Sequence, residues 1–303
     1  MEYKRLKTFE IFGNIRSEED ARKWIWQSKY GGKDFVCPHC GCERFYKLQT
    51  RPEVRKCAGC RNHIRVRVGT IFTNSKMPLM KWTRAIGMMM QGKRGISAME
   101  MKRENDMKRY ETSWGMLHKI RKALSHRDDS YKLDGVIEMD GASFGKRVVD
   151  QQKSVLVAIQ SKDWIDERGR KKNRAGFAKI MVTRESARCA QRFVNKHIVP
   201  GSMVNTDGNN SYTKLKNVDH DYQVVNQDPK MLDRWLPWVH KFISNARVWI
   251  LGTHHGVAMK NLEKYLAEYA YRFNRRHDPE SLFHRALTAC CLYKTSNLGA
   301  LSG

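Results

Sequence analysis

Two pairs of cysteines, Cys37-Pro-His-Cys40 and Cys57-Ala-Gly-Cys60, stand sixteen residues apart and restrict this chain more than any other feature. A CxxC knuckle presents two thiolates to one side of an ion, so two knuckles close a tetrahedral site around Zn²⁺. A redox dithiol would instead need a thioredoxin-like βαβ unit around one pair, and neither pair has that context. The spacing therefore predicts a structural zinc ribbon with Cys37, Cys40, Cys57 and Cys60 as ligands, Gly41 and Gly59 serving the knuckle turns. His39 and Cys42 are surplus to four ligands, and Cys42, Cys189, Cys290 and Cys291 follow no ligand spacing. Thiols used this way belong to a reducing compartment rather than to a disulfide framework.

The chain has 303 residues, enough for roughly two domains of ordinary size. Its net charge of +26 is carried by both halves, which argues against a detachable basic tail. A zinc module beside such charge makes nucleic acid the expected partner, ahead of anionic membranes or acidic proteins. No run of residues has the length and apolarity of a membrane span, and residues 1–8 lack an apolar signal core. A soluble, cytoplasmic and nucleoid-associated protein is the expectation.

Ser17 followed by Glu18, Glu19 and Asp20 reads as a helix start, with Ala21, Trp24 and Ile25 as its apolar stripe and Gly31-Gly32 as its end. Between Arg44 and Arg67 eight basic residues face the single acid Glu53. The alternation in Ile64-Arg65-Val66-Arg67-Val68 predicts a strand showing arginines on one face, so Arg55, Arg61, Arg65 and Arg67 are candidate phosphate contacts. An ordinary solvated strand face has the same pattern. Beyond Pro78, Trp82, Ala85, Ile86, Met89 and Met90 fall at helical spacing as core positions, a second helix starts near Ser97, and a third carries Trp114, Leu117, Ile120 and Leu124. Three short helices with a loop at Asn105-Asp106 are compatible with a helix-turn-helix and equally with a plain helical spacer. The expected division is 1–75 for the N-terminal helix and ribbon, 76–130 for the helical DNA-binding segment, and 131–303 for a catalytic domain.

After residue 130, strands and helices alternate. Residues 136–141 read as a strand ending at Asp140-Gly141, 154–159 and 178–182 as two more, and 186–197 as a helix. A fourth strand, 202–206, ends at Asp207-Gly208, and 222–225 supplies a fifth; the charged stretch 163–174 reads as a hairpin tip or insertion. Three strands, a helix and further strands is the order of an α/β fold with a ribonuclease H-like mixed sheet and flanking helices. In that order the first and fourth strands are neighbours, which would bring Asp140 and Asp207 together. Two close carboxylates call for cations, and a pair of Mg²⁺ or Mn²⁺ ions can activate a nucleophile on one side of a phosphodiester and stabilise the leaving oxygen on the other. Asp-Gly is also a common turn dipeptide, which is the plainer reading of both aspartates.

The block Gly-Thr-His-His-Gly-Val at 252–257, followed by Lys-Asn-Leu-Glu-Lys-Tyr-Leu-Ala-Glu-Tyr-Ala-Tyr-Arg-Phe-Asn-Arg-Arg at 260–276, resembles the C-terminal part of DDE-type insertion-sequence transposases, in the branch with an N-terminal zinc ribbon. The resemblance extends to the two knuckles, to Asp140-Gly141 with Phe144-Gly145-Lys146, and to Asn-Thr-Asp-Gly at 205–208. It implies a DNA transposase that acts on element ends and target DNA, working as a homodimer or larger synaptic assembly. It implies further a site of two aspartates and a third metal ligand on a helix, with a basic residue seven positions later. Asp140 and Asp207 take the first two places. The third departs from the usual glutamate: the register falls on His240, with Arg247 seven residues on, while Asn245 or no side chain from this stretch are the alternatives. Imidazole favours Mn²⁺ over Mg²⁺. Lys146, Arg247, Arg272, Arg275 and Arg276 are candidate DNA contacts, and Glu138 reads as a salt-bridged neighbour of Asp140. His254 and His255 read as turn packing, and Trp235, Trp238 and Trp249 as core. Two other functions share these features in part, a zinc-ribbon regulator that binds DNA without catalysis and a ribonuclease H-like nuclease that cuts without joining.

Overall fold

The computed structural model describes residues 13–91, 94–145, 152–165, 167–222 and 234–293. The chain divides into two compact units, Met1–Arg127 with His277–Gly303, and Asp128–Arg276.

The first unit opens with α1 (Glu18–Lys29), held by a capping box in which the Ser17 hydroxyl accepts the Asp20 N–H at 3.1 Å and the Asp20 carboxylate accepts the Ser17 N–H at 2.9 Å. A three-stranded antiparallel ribbon follows, β1 (Phe45–Lys47), β2 (Val54–Cys57) and β3 (His63–Arg65), in that spatial order. The strand expected to run through Val68 stops at Arg65, and Val66 is fully buried. Helices α2 (Leu79–Met90), α3 (Ala98–Glu104) and α4 (Tyr110–Asp128) come next. Trp82, Ala85, Ile86, Met89 and Met90 are buried, so the methionines fill core. Glu18 has a second task, since its carboxylate accepts the N–H groups of Leu79 at 2.7 Å and Met80 at 2.9 Å, capping α2, whose N-cap residue Pro78 offers no side-chain acceptor.

The last helix, placed by the sequence with the catalytic domain, belongs to this first unit. It is named α8 below (Leu282–Leu292), after α5 to α7 of the second unit, and it packs on α1 and α2. Trp24 meets Phe283 and His284 at ring separations of 5.9 and 4.8 Å, and the Cys290 carbonyl accepts the Ile71 N–H at 3.1 Å. Its apolar face thus adds to the core built by α1 and α2.

The second unit is built on a five-stranded mixed sheet of β4 (Val136–Gly145), β5 (Gln152–Ile165), β6 (Lys171–Val182), β7 (Met203–Thr206) and β8 (Asp219–Tyr222), in the order β6-β5-β4-β7-β8. The first three strands are antiparallel, whereas β4, β7 and β8 run parallel, with α5 (Ala187–His197) as the crossover. This is the ribonuclease H-like arrangement. The fifth strand lies a few residues earlier than the sequence indicated, and residues 223–225 fall outside the described range.

Alternation along β4 divides the core in two. Ile137 and Met139 pack with Ala190, Phe193 and Val194 of α5 on one face. Ala142 and Phe144 pack on the other with α6 (Pro237–His254) and α7 (Leu262–Phe273). Asn274, just past α7, ties it to β6 by accepting the Ala178 N–H at 2.6 Å and donating to the Ala178 carbonyl at 3.0 Å.

Candidate active site and zinc centre

The four knuckle cysteines bring their sulfur atoms within 4.8 Å of one another, with Cys37 and Cys60 at 3.5 Å and Cys40 and Cys57 also at 3.5 Å. A tetrahedral ion with metal–sulfur bonds of about 2.3 Å needs sulfurs roughly 3.8 Å apart, so the set fits zinc. Gly41 takes the left-handed conformation its knuckle needs, at φ +70°. In the second knuckle that conformation falls on Arg61, at φ 62°, and not on Gly59. Gly59 is under a different constraint, because a Cβ there would stand a tight 3.2 Å from that of Cys42.

Asp140 was expected at a strand end and lies instead within β4, at the level where β7 ends. The β4–β7 register pairs Glu138 with Asn205. Two residues beyond that pair stand Asp140, within β4, and Asp207, just past the end of β7, and the charge of Asp140 acts on the Asp207 carboxyl. The Asp140 carboxylate accepts the Gly141 N–H at 2.7 Å through Oδ1, while Oδ2 lies 3.4 Å from Nε2 of His240. Asp207 accepts the Asn209 N–H at 3.1 Å. Burial holds the Asp207 carboxyl above the ordinary carboxylate range, and the charges of Asp140 and Glu185 add to the rise against the lowering effects of the Asn209 N–H and His240.

Helix α6 reaches this place because Glu138, two residues before Asp140 on the same strand face, accepts the N–H groups of Trp238 at 2.7 Å and Val239 at 3.0 Å. These are orphan donors of the first helical turn, and a buried carboxylate satisfies them. Glu138, read from sequence as a salt-bridged neighbour, is a cap delivered from the sheet. Asn245 is exposed and lies about 140° around the helix from His240, so only the histidine faces Asp140.

Glu185, in the loop between β6 and α5, escaped sequence reasoning. Its Oε1 accepts the Asn209 amide at 3.0 Å and the Tyr212 hydroxyl at 2.8 Å, which ties it to the turn that carries Asp207. Its carboxyl lies so close to Gly141 that a Cβ there would come within 2.4 Å of Glu185 Cδ. Gly141 is therefore a cradle inside a strand and not a turn glycine. A glycine at an apolar strand position with no turn behind it was the one available signal.

Few of the candidate arginines present their guanidinium groups outward. Arg61 and Arg65 are exposed. Arg67 is turned inward, forking onto Glu53 at 2.9 and 2.8 Å and donating to the carbonyls of Ser75 and Met77 at 3.2 and 2.7 Å. Those bonds hold the Glu53 carboxyl below its ordinary range. Arg55, 7% exposed, lies over the rings of Trp26 and Phe45 at 4.5 and 4.2 Å. Arg275 forks onto Asp128 at 2.6 and 3.2 Å, Arg276 donates to the carbonyls of Ala175, Gly176 and Phe273, and Arg272 is buried beside Glu268. These five are internal ties, a correction to their reading as phosphate contacts. Arg247 is exposed on the His240 face of α6 and donates to the Ser143 carbonyl at 2.9 Å. Lys146 lies outside the described residues.

His254 packs edge-on between Trp249 and Tyr265, and His255 takes the left-handed C-cap of α6 at φ 52°, so neither points to a metal. Trp249 is core, Trp238 is partly buried, and Trp235 is 36% exposed.

Residues 132–274 match the family model described as the ISXO2-like transposase domain, and residues 16–63 match that of a transposase zinc-ribbon domain. Together the two cover more than half of the chain. The chain carries an ISXO2-like transposase domain behind a transposase zinc ribbon. No curated protein gives a significant match to it. The zinc-ribbon match contains all four cysteines, and the transposase-domain match contains Asp140, Glu185, Asp207 and His240. Among the described residues only the cysteine set gathers three or more ligand atoms within 4.8 Å, so the donors of the ISXO2-like site are spread more widely than those of its ribbon. The carboxylates of Asp140 and Asp207 and the imidazole of His240 form a donor set that suits a divalent cation, Asp207 being half-buried with its carboxyl raised by burial first and then by the charges of Asp140 and Glu185. No helix among the described residues is long and apolar enough to cross a membrane.

Proposed function

We propose that this transposase binds the terminal inverted repeats of an insertion sequence, cuts DNA strands at its ends and joins the freed 3′ ends to target DNA. The observation that carries the reading is that Asp140 in β4 and Asp207 just past the end of the neighbouring parallel strand β7 are close enough for their charges to interact, with His240 Nε2 3.4 Å from Asp140.

In this reading Asp140, Asp207 and His240 hold Mg²⁺ or Mn²⁺, which when bound supplies Lewis acidity at the scissile phosphodiester. The protein does the rest by positioning. Each aspartate is oriented through one oxygen by a backbone N–H, from Gly141 and from Asn209, which leaves the other oxygen for the site. Glu138 fixes the start of α6 and hence the height of His240. Arg247, held over the Phe144 ring at 5.5 Å, offers charge to a phosphate beside the site. Arg61 and Arg65 on the ribbon, with α2 to α4 acting as a helix-turn-helix, contribute recognition of the ends. Two ends must meet, so a dimer or larger assembly performs the reaction.

The test is cleavage and joining of end-containing duplexes by the purified protein with Mn²⁺ or Mg²⁺. Asp140→Asn and Asp207→Asn should each abolish both products while leaving duplex binding intact. Full activity in either variant refutes the assignment. Cleavage without a joined product would identify a nuclease, and binding without any divalent-ion-dependent chemistry a regulator.

A further inference from the structure

Strands β5 and β6 continue past the rest of their sheet. The last β4–β5 pair is Val136 with Ser161, but β5 and β6 stay paired for four more rungs, from Lys162 with Arg174 to Ile165 with Lys171. Residues 162–165 and 171–174 thus form a two-stranded ribbon that carries four basic residues and one acid, Asp163, and its described side chains are exposed. At about 3.3 Å per residue it projects roughly 13 Å beyond the β4 edge before its tip.

The two faces of this ribbon differ in charge. Asp163 and Asn173 share the face toward α6, where Asn173 donates to Asp163 at 2.8 Å and accepts the Trp238 indole N–H. Lys162, Lys172 and Arg174 share the opposite face by alternation and pairing, and the Lys162 ammonium lies 5.8 Å from the Phe177 ring on that side. No acid falls among the paired positions of this face. A merely solvated hairpin has no need to separate its charges in this way, and a two-stranded ribbon has the width to enter a DNA major groove.

We infer that the Lys162, Lys172 and Arg174 face of the β5–β6 ribbon is a second contact surface for duplex DNA, remote from the aspartates and directed at phosphates. The inference rests on the proposed action of the chain on DNA. Asp140 is four residues along β4 from Val136, and Ile165 four along β5 from its partner Ser161, so aspartate and ribbon end are separated by roughly 26 Å. That is on the order of eight base pairs of duplex, less than one helical turn.

The experiment measures affinity of the full chain for an end-containing duplex as a function of salt. The variants are Lys172→Gln, its neighbour on the other face Lys171→Gln, and the triple Lys162→Gln, Lys172→Gln, Arg174→Gln. Each lost phosphate contact should lower the slope of log K against log salt by about 0.9, so the triple variant should lose roughly two to three units of slope. Lys172→Gln should lose about one and Lys171→Gln none. A duplex ending within about five base pairs of the cleavage position should bind wild type and triple variant alike. Unchanged slopes in all variants on the long duplex overturn the inference, as do equal losses in Lys171→Gln and Lys172→Gln. Absence of duplex binding by the wild type would instead defeat the proposed function, so the two failures are separable.

Discussion

The Glu138 carboxylate in β4 and the backbone N–H of Trp238 in α6, a hundred positions apart, are joined by a hydrogen bond of 2.7 Å. Through it, the strand that carries Asp140 determines where the helix that carries His240 begins. Charged hydrogen bonds to a buried acceptor contribute about 1.5–3 kcal/mol each, and Glu138 makes two. Glu138→Ala should therefore destabilise the sheet unit by about 3–6 kcal/mol in chemical denaturation. Glu138→Gln keeps an acceptor oxygen and should cost markedly less. Equal losses in the two would mean that packing volume, and not the cap, matters at this position.

Gly141 and Glu185 form a second such pair. A methyl group at 141 would stand 2.4 Å from the Glu185 carboxyl carbon, so that carboxylate must move and strain or give up its bonds to Asn209 and Tyr212. Gly141→Ala should cost about 1–3 kcal/mol, as overpacking does. Removing the obstruction in Gly141→Ala, Glu185→Ala should recover part of that loss, with a coupling energy of at least about 1 kcal/mol in the double-mutant cycle. Additive losses would show that the two groups do not compete for one space.

That the strand of Asp140 and the strand leading to Asp207 are neighbours was legible in the sequence, because strand order alone places the first beside the fourth whatever their side chains do. The role of Gly141 was not, since Asp-Gly has a common meaning as a turn and its partner Glu185 sits in a loop without pattern. Arginines misled for a related reason. A sequence displays charge but not its counterpart, and Arg67 and Arg275 meet Glu53 and Asp128 only after folding. The last helix was misplaced because its apolar face fits any core, and nothing local says that its core lies some 200 residues earlier.

Acid should weaken the sheet unit through His197. Burial, and after it the charges of Lys196, Lys179 and Lys132, push this imidazole down to about 3. The unfolded chain takes up the proton near pH 6.5, whereas the folded chain resists until about pH 3. Its contribution to stability is therefore complete above pH 6.5 and declines as pH falls through that window, by up to about 1.4 kcal/mol per unit. Denaturation midpoints between pH 7 and pH 4 should fall less in His197→Leu than in wild type. Parallel curves for the two proteins would assign the acid sensitivity elsewhere.

Zinc should behave as part of the ribbon's fold. The three strands are only three or four residues long, too little to hold a sheet without a cross-link. One zinc per chain is expected by metal analysis, and a strong chelator or Cys57→Ser should melt the ribbon while the sheet unit keeps its own denaturation transition. A ribbon that retains its amide protection after the metal is stripped would contradict this.

Arg65 and Arg67 sit two residues apart and should fail in opposite ways. Arg65 is exposed on β3, so Arg65→Gln should leave stability unchanged and lower the salt slope of DNA binding by about 0.9, the loss of one phosphate contact. Arg67 spends its donors on Glu53 and two carbonyls, at 17% side-chain exposure. Arg67→Gln should destabilise the first unit by about 1–3 kcal/mol, a range discounted for the partial exposure of Glu53, and should leave the salt slope of the folded protein as it was. Paired measurements of denaturation and salt-dependent affinity decide between the two roles. A fall in slope for Arg67→Gln at temperatures where it stays folded would return that arginine to the DNA-contacting surface.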